Sequence, residues 1–163
     1  GIQKAVKEHF LKSSWQRCKV HFMRNILAHI PHKAKESFGA QIKHIWLQPS
    51  IEDARLMARK ICEKNAAKYP EAIRCLEEGL EDSLQFFNFE TIDRRKISST
   101  NTLERLNEEI RRRSRVVGVF PSKDAYVRLV CCYLLEYSED WIVERSYINQ
   151  EILLELKSTR DAA

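Results

Sequence analysis

The sequence contains few of the residues that interrupt helices: its 163 residues include four glycines and four prolines. Nucleotide-cofactor folds and phosphate-binding loops depend on glycine-rich turns that let the backbone approach a phosphate. No such loop occurs here, nor does a G-x-S-x-G nucleophile sequence. These absences argue against a nucleotide-cofactor enzyme and against a hydrolase with that type of nucleophile.

Long apolar runs are also missing, since no stretch of about 18 apolar residues occurs and no signal-peptide pattern is visible. We therefore expect a cytoplasmic protein with no membrane partner. The five cysteines form an odd set without the spacing of a disulfide scaffold, so reduced thiols are expected. Four cysteines in apolar helical contexts are predicted to pack as small hydrophobic residues: Cys62, Cys75, Cys131 and Cys132.

Apolar residues recur with a period of about 3.6 residues along most of the chain, which predicts a mainly α fold with at most one or two short strands. Ser50 is expected to cap one helix and Pro70 to open the next. The aromatic residues Phe86, Phe87 and Phe89 are predicted to lie in the core rather than to stack on bases. Helices are predicted at 2–11, 22–30, 34–47, 51–69, 71–84, 123–136 and 150–156, and a further helix contains Glu104 and ends before an extended loop at 116–121.

A strand is predicted from Trp15 to Val20, with alternate residues on opposite faces. Cys18 and His21 could supply two zinc ligands, but no second pair at zinc-like spacing follows. A buried local role is the preferred interpretation for Cys18. His21 is predicted either to orient a metal ligand or the DNA backbone, or to be a half-buried, hydrogen-bonded histidine.

The segment from Ser98 to Phe120 places one acidic residue, Glu104, in the first turn of a strongly basic helical pattern. Thr100 or Asn101 can cap this helix. A carboxylate fixed on a helix among cations suits a magnesium-dependent phosphoryl-transfer site. The alternative is that Glu104 only complements the helix dipole.

Basic residues concentrate in two stretches. Residues 94–115 contain eight basic and three acidic residues, and residues 1–24 contain six basic and one acidic residue. Such clustering is expected of a surface that binds a nucleic-acid backbone. Because Arg111, Arg112 and Arg113 cannot share one helix face, some of them should pair with Glu108 or Glu109.

Two motifs resemble the Mutator-type bacterial insertion-sequence transposases. Residues 99–121, S-T-N-T-L-E-R-L-N-E-E-I-R-R-R-S-R-V-V-G-V-F-P, are similar to the signature around the last acidic residue of that family. Residues 15–27, W-Q-R-C-K-V-H-F-M-R-N-I-L, resemble the segment after the family's second catalytic Asp, including its Cys-x-x-His pair. The resemblance extends to about Tyr147, with 33–90 similar only in helical character and length.

The resemblance implies a DDE enzyme with a ribonuclease-H-like fold, in which two Asp and one Glu bind two Mg²⁺ or Mn²⁺ ions. Glu104 matches the Glu, whereas both Asp positions would precede Gly1. The resemblance therefore implies the C-terminal portion of a transposase that cleaves and joins DNA. The implied partners are transposon ends, target DNA and further copies of the protein, and the chain alone is expected to be inactive. The implied segments are a partial catalytic lobe (1–32), a helical insertion (33–90), a return to the lobe (91–147) and a tail (148–163).

Within this interpretation Glu104 is the predicted catalytic and metal-binding residue. The predicted DNA-backbone residues are Asn101, Arg105, Arg111 and Arg112, and the predicted supporting pair is Cys18 and His21. Three alternatives remain open at this stage. They are a non-catalytic helical remnant that binds DNA or a partner, an oligomerisation domain, and a helix-turn-helix reader around Gly118, although its 116–121 turn is long and apolar.

Overall fold

The computed structural model describes residues 2–11, 13–143 and 147–161. Within them the chain is mainly helical and no strand occurs, which confirms the predicted mainly α class. The helices are α1 (Ile2–His9), α2 (Lys19–Ala28), α3 (His32–Lys43), α4 (Ile51–Asn65), α5 (Pro70–Leu84), α6 (Arg94–Ile97), α7 (Asn101–Val117), α8 (Lys123–Val143) and α9 (Gln150–Asp161). Single 3-10 turns span His44–Leu47 and Gln85–Asn88.

The contacts divide the chain into two compact units, Gly1–Ser99 and Thr100–Ala163. The four predicted segments, 1–32, 33–90, 91–147 and 148–163, stay a prediction. Among the described residues, no helix is both long and apolar enough to cross a membrane.

The first unit has a core of large apolar side chains in which α2 packs on α5. Phe22 of α2 is fully buried and meets Trp46 edge-on, with ring centroids 6.0 Å apart. The fully buried apolar residues of this core include Phe22, Ile26, Phe38, Ile42, Ile45, Leu76, Leu84 and Phe86. Phe86 and Phe87 stack with centroids 4.4 Å apart, so their predicted place in the core is confirmed. Phe89 is partly buried.

Two helix starts follow the predicted local chemistry. The Ser50 hydroxyl accepts the backbone N–H of Asp53 at 3.0 Å, as an N-cap does, and Pro70 occupies the first turn of α5. Other boundaries differ from prediction. α2 begins at Lys19 rather than Phe22, α3 begins directly after Pro31, and α8 continues to Val143.

The strand predicted from Trp15 to Val20 is wrong. Residues 15–18 are irregular, and α2 already begins at Lys19. The described residues offer no other strand to pair with, and the segment instead binds the end of α5. The Arg17 N–H donates to the carbonyl of Asp82 at 2.7 Å, and the Gln16 side chain donates to that of Ser83 at 3.1 Å. These carbonyls lie in the last turn of α5, where helical partners are missing.

The predicted inner face of α8 is also partly wrong. Cys131 and Cys132 are exposed rather than packed, and Leu135 is 64% exposed. Tyr133 is the buried residue instead, and the partly buried positions around it are Leu129, Val130 and Tyr137. Cys62 and Cys75 do pack partly against the core of the first unit, as predicted. The predicted packing of Trp141 and Ile142 concerns side chains outside the described ones.

Candidate nucleic-acid interface

The second unit is organised by α7, whose ends are both set by local sequence. Thr100 occupies the N-cap position, and the helix ends at Gly118, whose φ of 76° is disfavoured for residues with a side chain. The inner face of α7 packs on α8. Residues of the two helices that line one small gap are Ile110, Arg113, Ser114, Leu129, Val130 and Tyr133.

Glu109 anchors two arginines of α7. It accepts hydrogen bonds from Arg112 at 2.6 and 2.8 Å and from Arg113 at 3.1 Å. These bonds lower the pKa of the Glu109 carboxyl from 4.5 to about 2. The Arg113 guanidinium also lies 4.1 Å from the centroid of the Tyr133 ring, and one of its nitrogens is 3.9 Å from Glu136. Arg113 therefore connects α7 to α8 and is a packing residue, with a cation–π contact as part of the connection.

A polar stripe lies on the side of α7 opposite the partly buried face that packs on α8. Its members are Asn101, Glu104, Glu108, Arg111 and Arg115, at successive spacings of three, four, three and four residues. This spacing places side chains one above another on a helix. All are exposed except Glu104, which is partly buried. We call this set the α7 stripe.

The α7 stripe carries its acidic residues toward the start of the helix and its cations toward the end. Arg111 and Arg115 form no ion pair with any described residue, and the same holds for Arg105 beside the stripe. By contrast, the Arg112 guanidinium is engaged by Glu109. The expected pairing of some arginines with Glu108 or Glu109 is thus confirmed, with Glu109 as the partner.

Glu104 is oriented by the residue that opens the helix. The Thr100 hydroxyl donates to Oε1 of Glu104 at 2.9 Å. Thr100 makes no side-chain bond to the backbone at the N-cap position, although capping is the common use of threonine there. The carboxylate of Glu104 is therefore held by a neighbour on a rigid helical turn.

A magnesium ion requires several oxygen ligands. In the described part of the chain no group of three His, Cys, Asp or Glu side chains is arranged to hold a metal. The described residues alone therefore do not supply a full ligand set, and the predicted metal-binding role of Glu104 stays a prediction.

Cys18 and His21 belong to the first unit. Cys18 is partly buried at the N-cap position of α2, and His21 follows in the first turn and is exposed. The prediction of a half-buried His21 is wrong, because α2 begins at Lys19 and His21 is an exposed residue of its first turn. The predicted supporting role of Cys18 and His21 stays a prediction.

The residue that sequence reasoning missed in this segment is Gln16. Its side-chain oxygen accepts the N–H of Phe86 at 2.7 Å, and its nitrogen donates to the carbonyls of Arg17 and Ser83. Ser83 is fully buried and in turn accepts the indole N–H of Trp46 at 3.0 Å. No periodicity reveals such a residue, since two of its three partners, Ser83 and Phe86, lie 67 and 70 positions away along the chain.

The chain therefore consists of two helical units that follow one another in sequence. The second unit carries, on α7, a surface with exposed arginines and two glutamates. The sequence profile described as "Transposase, Mutator family" matches residues 1–144. The chain therefore belongs to the Mutator family of transposases.

Curated relatives agree with this assignment. The transposase for insertion sequence element ISRM5 from Rhizobium meliloti (strain 1021) is 36% identical over 157 residues, which cover 96% of this chain and 39% of that protein. The transposase for insertion sequence element IS256 in transposon Tn4001 from Staphylococcus aureus is 36% identical over 152 residues, covering 91% and 39%. The transposase for insertion sequence element IS1081 from Mycobacterium tuberculosis (strain ATCC 25618 / H37Rv) is 32% identical over 153 residues, covering 94% and 37%. The chain thus spans about two fifths of the length of these relatives.

Proposed function

We propose that this chain forms the DNA-facing helical part of a transposase that cleaves DNA and joins the resulting ends, as the C-terminal portion of a DDE, ribonuclease-H-like enzyme. Membership of the Mutator family and the names of its relatives support a role in transposition. The observation that carries the site is the α7 stripe, which aligns the oriented carboxylate of Glu104 with the unpaired cations of Arg111 and Arg115.

In this proposal each group on the stripe has a separate task. Arg111 and Arg115 bind phosphates of the DNA backbone, with Asn101 and Arg105 at the start of the helix contacting the same strand. Arg112 contributes less, because Glu109 already neutralises its charge. Glu104 supplies one carboxylate to a Mg²⁺ or Mn²⁺ site, and Thr100 fixes the direction of that carboxylate. Such a metal, when bound, supports phosphoryl transfer by activating the attacking oxygen and stabilising the leaving one.

DNA binding by the chain tests this proposal directly. Fluorescence anisotropy with a labelled duplex should show an affinity that falls with salt, with a slope in log K against log salt of about −0.9 per phosphate contact. Arg111→Ala and Arg115→Ala should each reduce the magnitude of that slope by about one. Arg55→Ala is the matched control, since Arg55 is exposed but paired with Glu81 at 2.8 Å. Equal slopes for all three variants and the wild type would remove the α7 stripe from the interface.

A specific observation favours a narrower second candidate, a DNA-binding module without catalysis of its own. The described residues hold one oriented carboxylate and no group of three possible metal ligands. We therefore expect no nicking of a supercoiled plasmid by the 163-residue chain in magnesium. If the wild-type chain nicks the plasmid and Glu104→Gln does not, the second candidate is contradicted and the cleavage activity belongs to this chain.

A further inference from the structure

Three valines at the end of α7 expose their side chains together. Val116 is 79% exposed, Val117 is 49% exposed, and Val119, just past the end of the helix, is 88% exposed. Isolated exposed apolar residues are ordinary, but three within four positions concentrate apolar surface at one turn. We call these three residues the valine tip.

The valine tip projects from an ordered turn. The Gly118 N–H donates to the carbonyl of Ser114 at 3.2 Å, and the Val119 N–H donates to that of Val117 at 3.0 Å. The next residue, Phe120, packs edge-on against Tyr126 with centroids 5.3 Å apart. The backbone on both sides is therefore fixed, while the valines gain little burial in the fold. Their apolar surface is exposed in the described part of the chain.

The surroundings of the valine tip indicate the chemistry of that partner. Val116 lines one open depression together with Glu108, Arg111, Arg112 and Arg115. The arginines would bind a partner's phosphates, and the neighbouring valines would contact apolar ring faces next to those phosphates. A nucleic acid has both. A second copy of this chain would bring its own arginines against these, which is unfavourable.

We propose that the valine tip contacts DNA bases at a point where a base step is opened, while Arg111 and Arg115 hold the flanking phosphates. This inference rests on the proposed DNA-binding function and specifies the form of the DNA. In an intact duplex the base faces are covered by stacking. Apolar side chains reach those faces by inserting at a step that is unstacked, and a step that is already unpaired costs less to open.

Two DNA substrates separate this inference from simple binding. One is a fully paired duplex, and the other is the same duplex with two adjacent unpaired bases at its centre. The wild-type chain should bind the second more tightly by about tenfold, the size expected from burying one valine side chain. The double variant Val116→Ala/Val119→Ala should lose this preference and keep the salt slope of the wild type. Val127→Ala, which alters a 45% exposed valine on α8, should keep both.

The remaining outcomes are distinct. Salt-dependent binding with no preference for the unpaired site, or with a preference that survives in the double variant, overturns the inference and leaves the proposed function standing. Absence of salt-dependent binding to either substrate overturns the proposed function and the inference with it. Self-association by light scattering that the double variant abolishes, with unchanged DNA preference, overturns the inference and assigns the valine tip to a second copy.

Discussion

Thr100 donates a hydrogen bond of 2.9 Å to the carboxylate of Glu104, one helical turn further along the chain. Thr100 occupies the N-cap position of α7, yet its side chain makes no capping bond to the backbone. At the start of α4 the Ser50 hydroxyl both accepts the N–H of Asp53 and donates to its carboxylate, whereas the Thr100 hydroxyl makes no backbone cap and donates to Glu104. The Thr100 bond therefore restricts the direction of the Glu104 carboxylate.

Replacement of Gln16 should destabilise the first unit strongly. Gln16→Ala removes three hydrogen bonds and leaves the N–H of Phe86 without its partner in a partly buried place. We expect a loss of about 2–3 kcal/mol in the free energy of unfolding, measured by urea denaturation. Gln41→Ala is the control, because Gln41 makes a single exposed bond to Ser37 at 3.4 Å and should change stability by less than about 0.5 kcal/mol. Similar losses for both variants would contradict this role of Gln16.

The two glycines within helices should respond to alanine with opposite signs. A Cβ at Gly79 would lie 2.6 Å from Cε2 and 2.8 Å from Cζ of the fully buried Phe22 ring, and would also clash with the Arg17 guanidinium. Gly79→Ala should therefore cost about 1–3 kcal/mol despite the better helix propensity of alanine. At Gly39 a Cβ would lie 3.4 Å from Leu27, an ordinary contact, so Gly39→Ala should be neutral or stabilise by up to about 1 kcal/mol. Thermal unfolding of both variants checks the signs, and stabilisation by Gly79→Ala would refute the close packing of α2 on α5.

The arginine pair on Glu109 should give the protein an acid-dependent component of stability. The pKa of Glu109 is lowered from 4.5 to about 2, so its contribution is complete above pH 4.5 and is lost as the pH falls toward 2. Between pH 4.5 and pH 2 the urea midpoint of Glu109→Gln should fall less than that of the wild type. Carboxyl NMR titration supplies the direct measurement, with a midpoint near 2 in the wild type that rises in Arg112→Gln. A wild-type midpoint near 4.5 would show that the ion pairs do not form in solution.

Sequence periodicity predicted α7 well because the helix is sharply two-sided. Leu106 and Ile110 lie on the inner side, and Glu104 and Arg111 lie on the outer side, as their spacing requires. Leu103 was also expected on the apolar side but is 59% exposed. The helix α8 was predicted less well because apolar residues occur all around it, so the pattern did not distinguish Tyr133 from Leu135.

The failure at Trp15–Val20 has a different cause. An alternating pattern reports which side of a segment is apolar, but a strand also needs a partner to complete its hydrogen bonds. Here Gln16 and Arg17 complete theirs with residues 82–86 at the end of α5. Such a long-range contact depends on the assembled fold, and local sequence does not encode it.

The most direct test of the α7 stripe is a residue-resolved NMR titration of the chain with duplex DNA, followed by Mn²⁺. We predict that DNA shifts the signals of the stripe, and that Mn²⁺ then broadens the signals around Thr100 and Glu104. Glu104→Gln should abolish this broadening. Glu151→Gln should leave it intact, because Glu151 also lies in the first turn of a helix but has no place on the stripe. DNA-induced shifts confined to other helices, or broadening around Glu104 that survives in Glu104→Gln, would contradict the assignment of α7 as the DNA-facing helix with Glu104 as its metal-binding carboxylate.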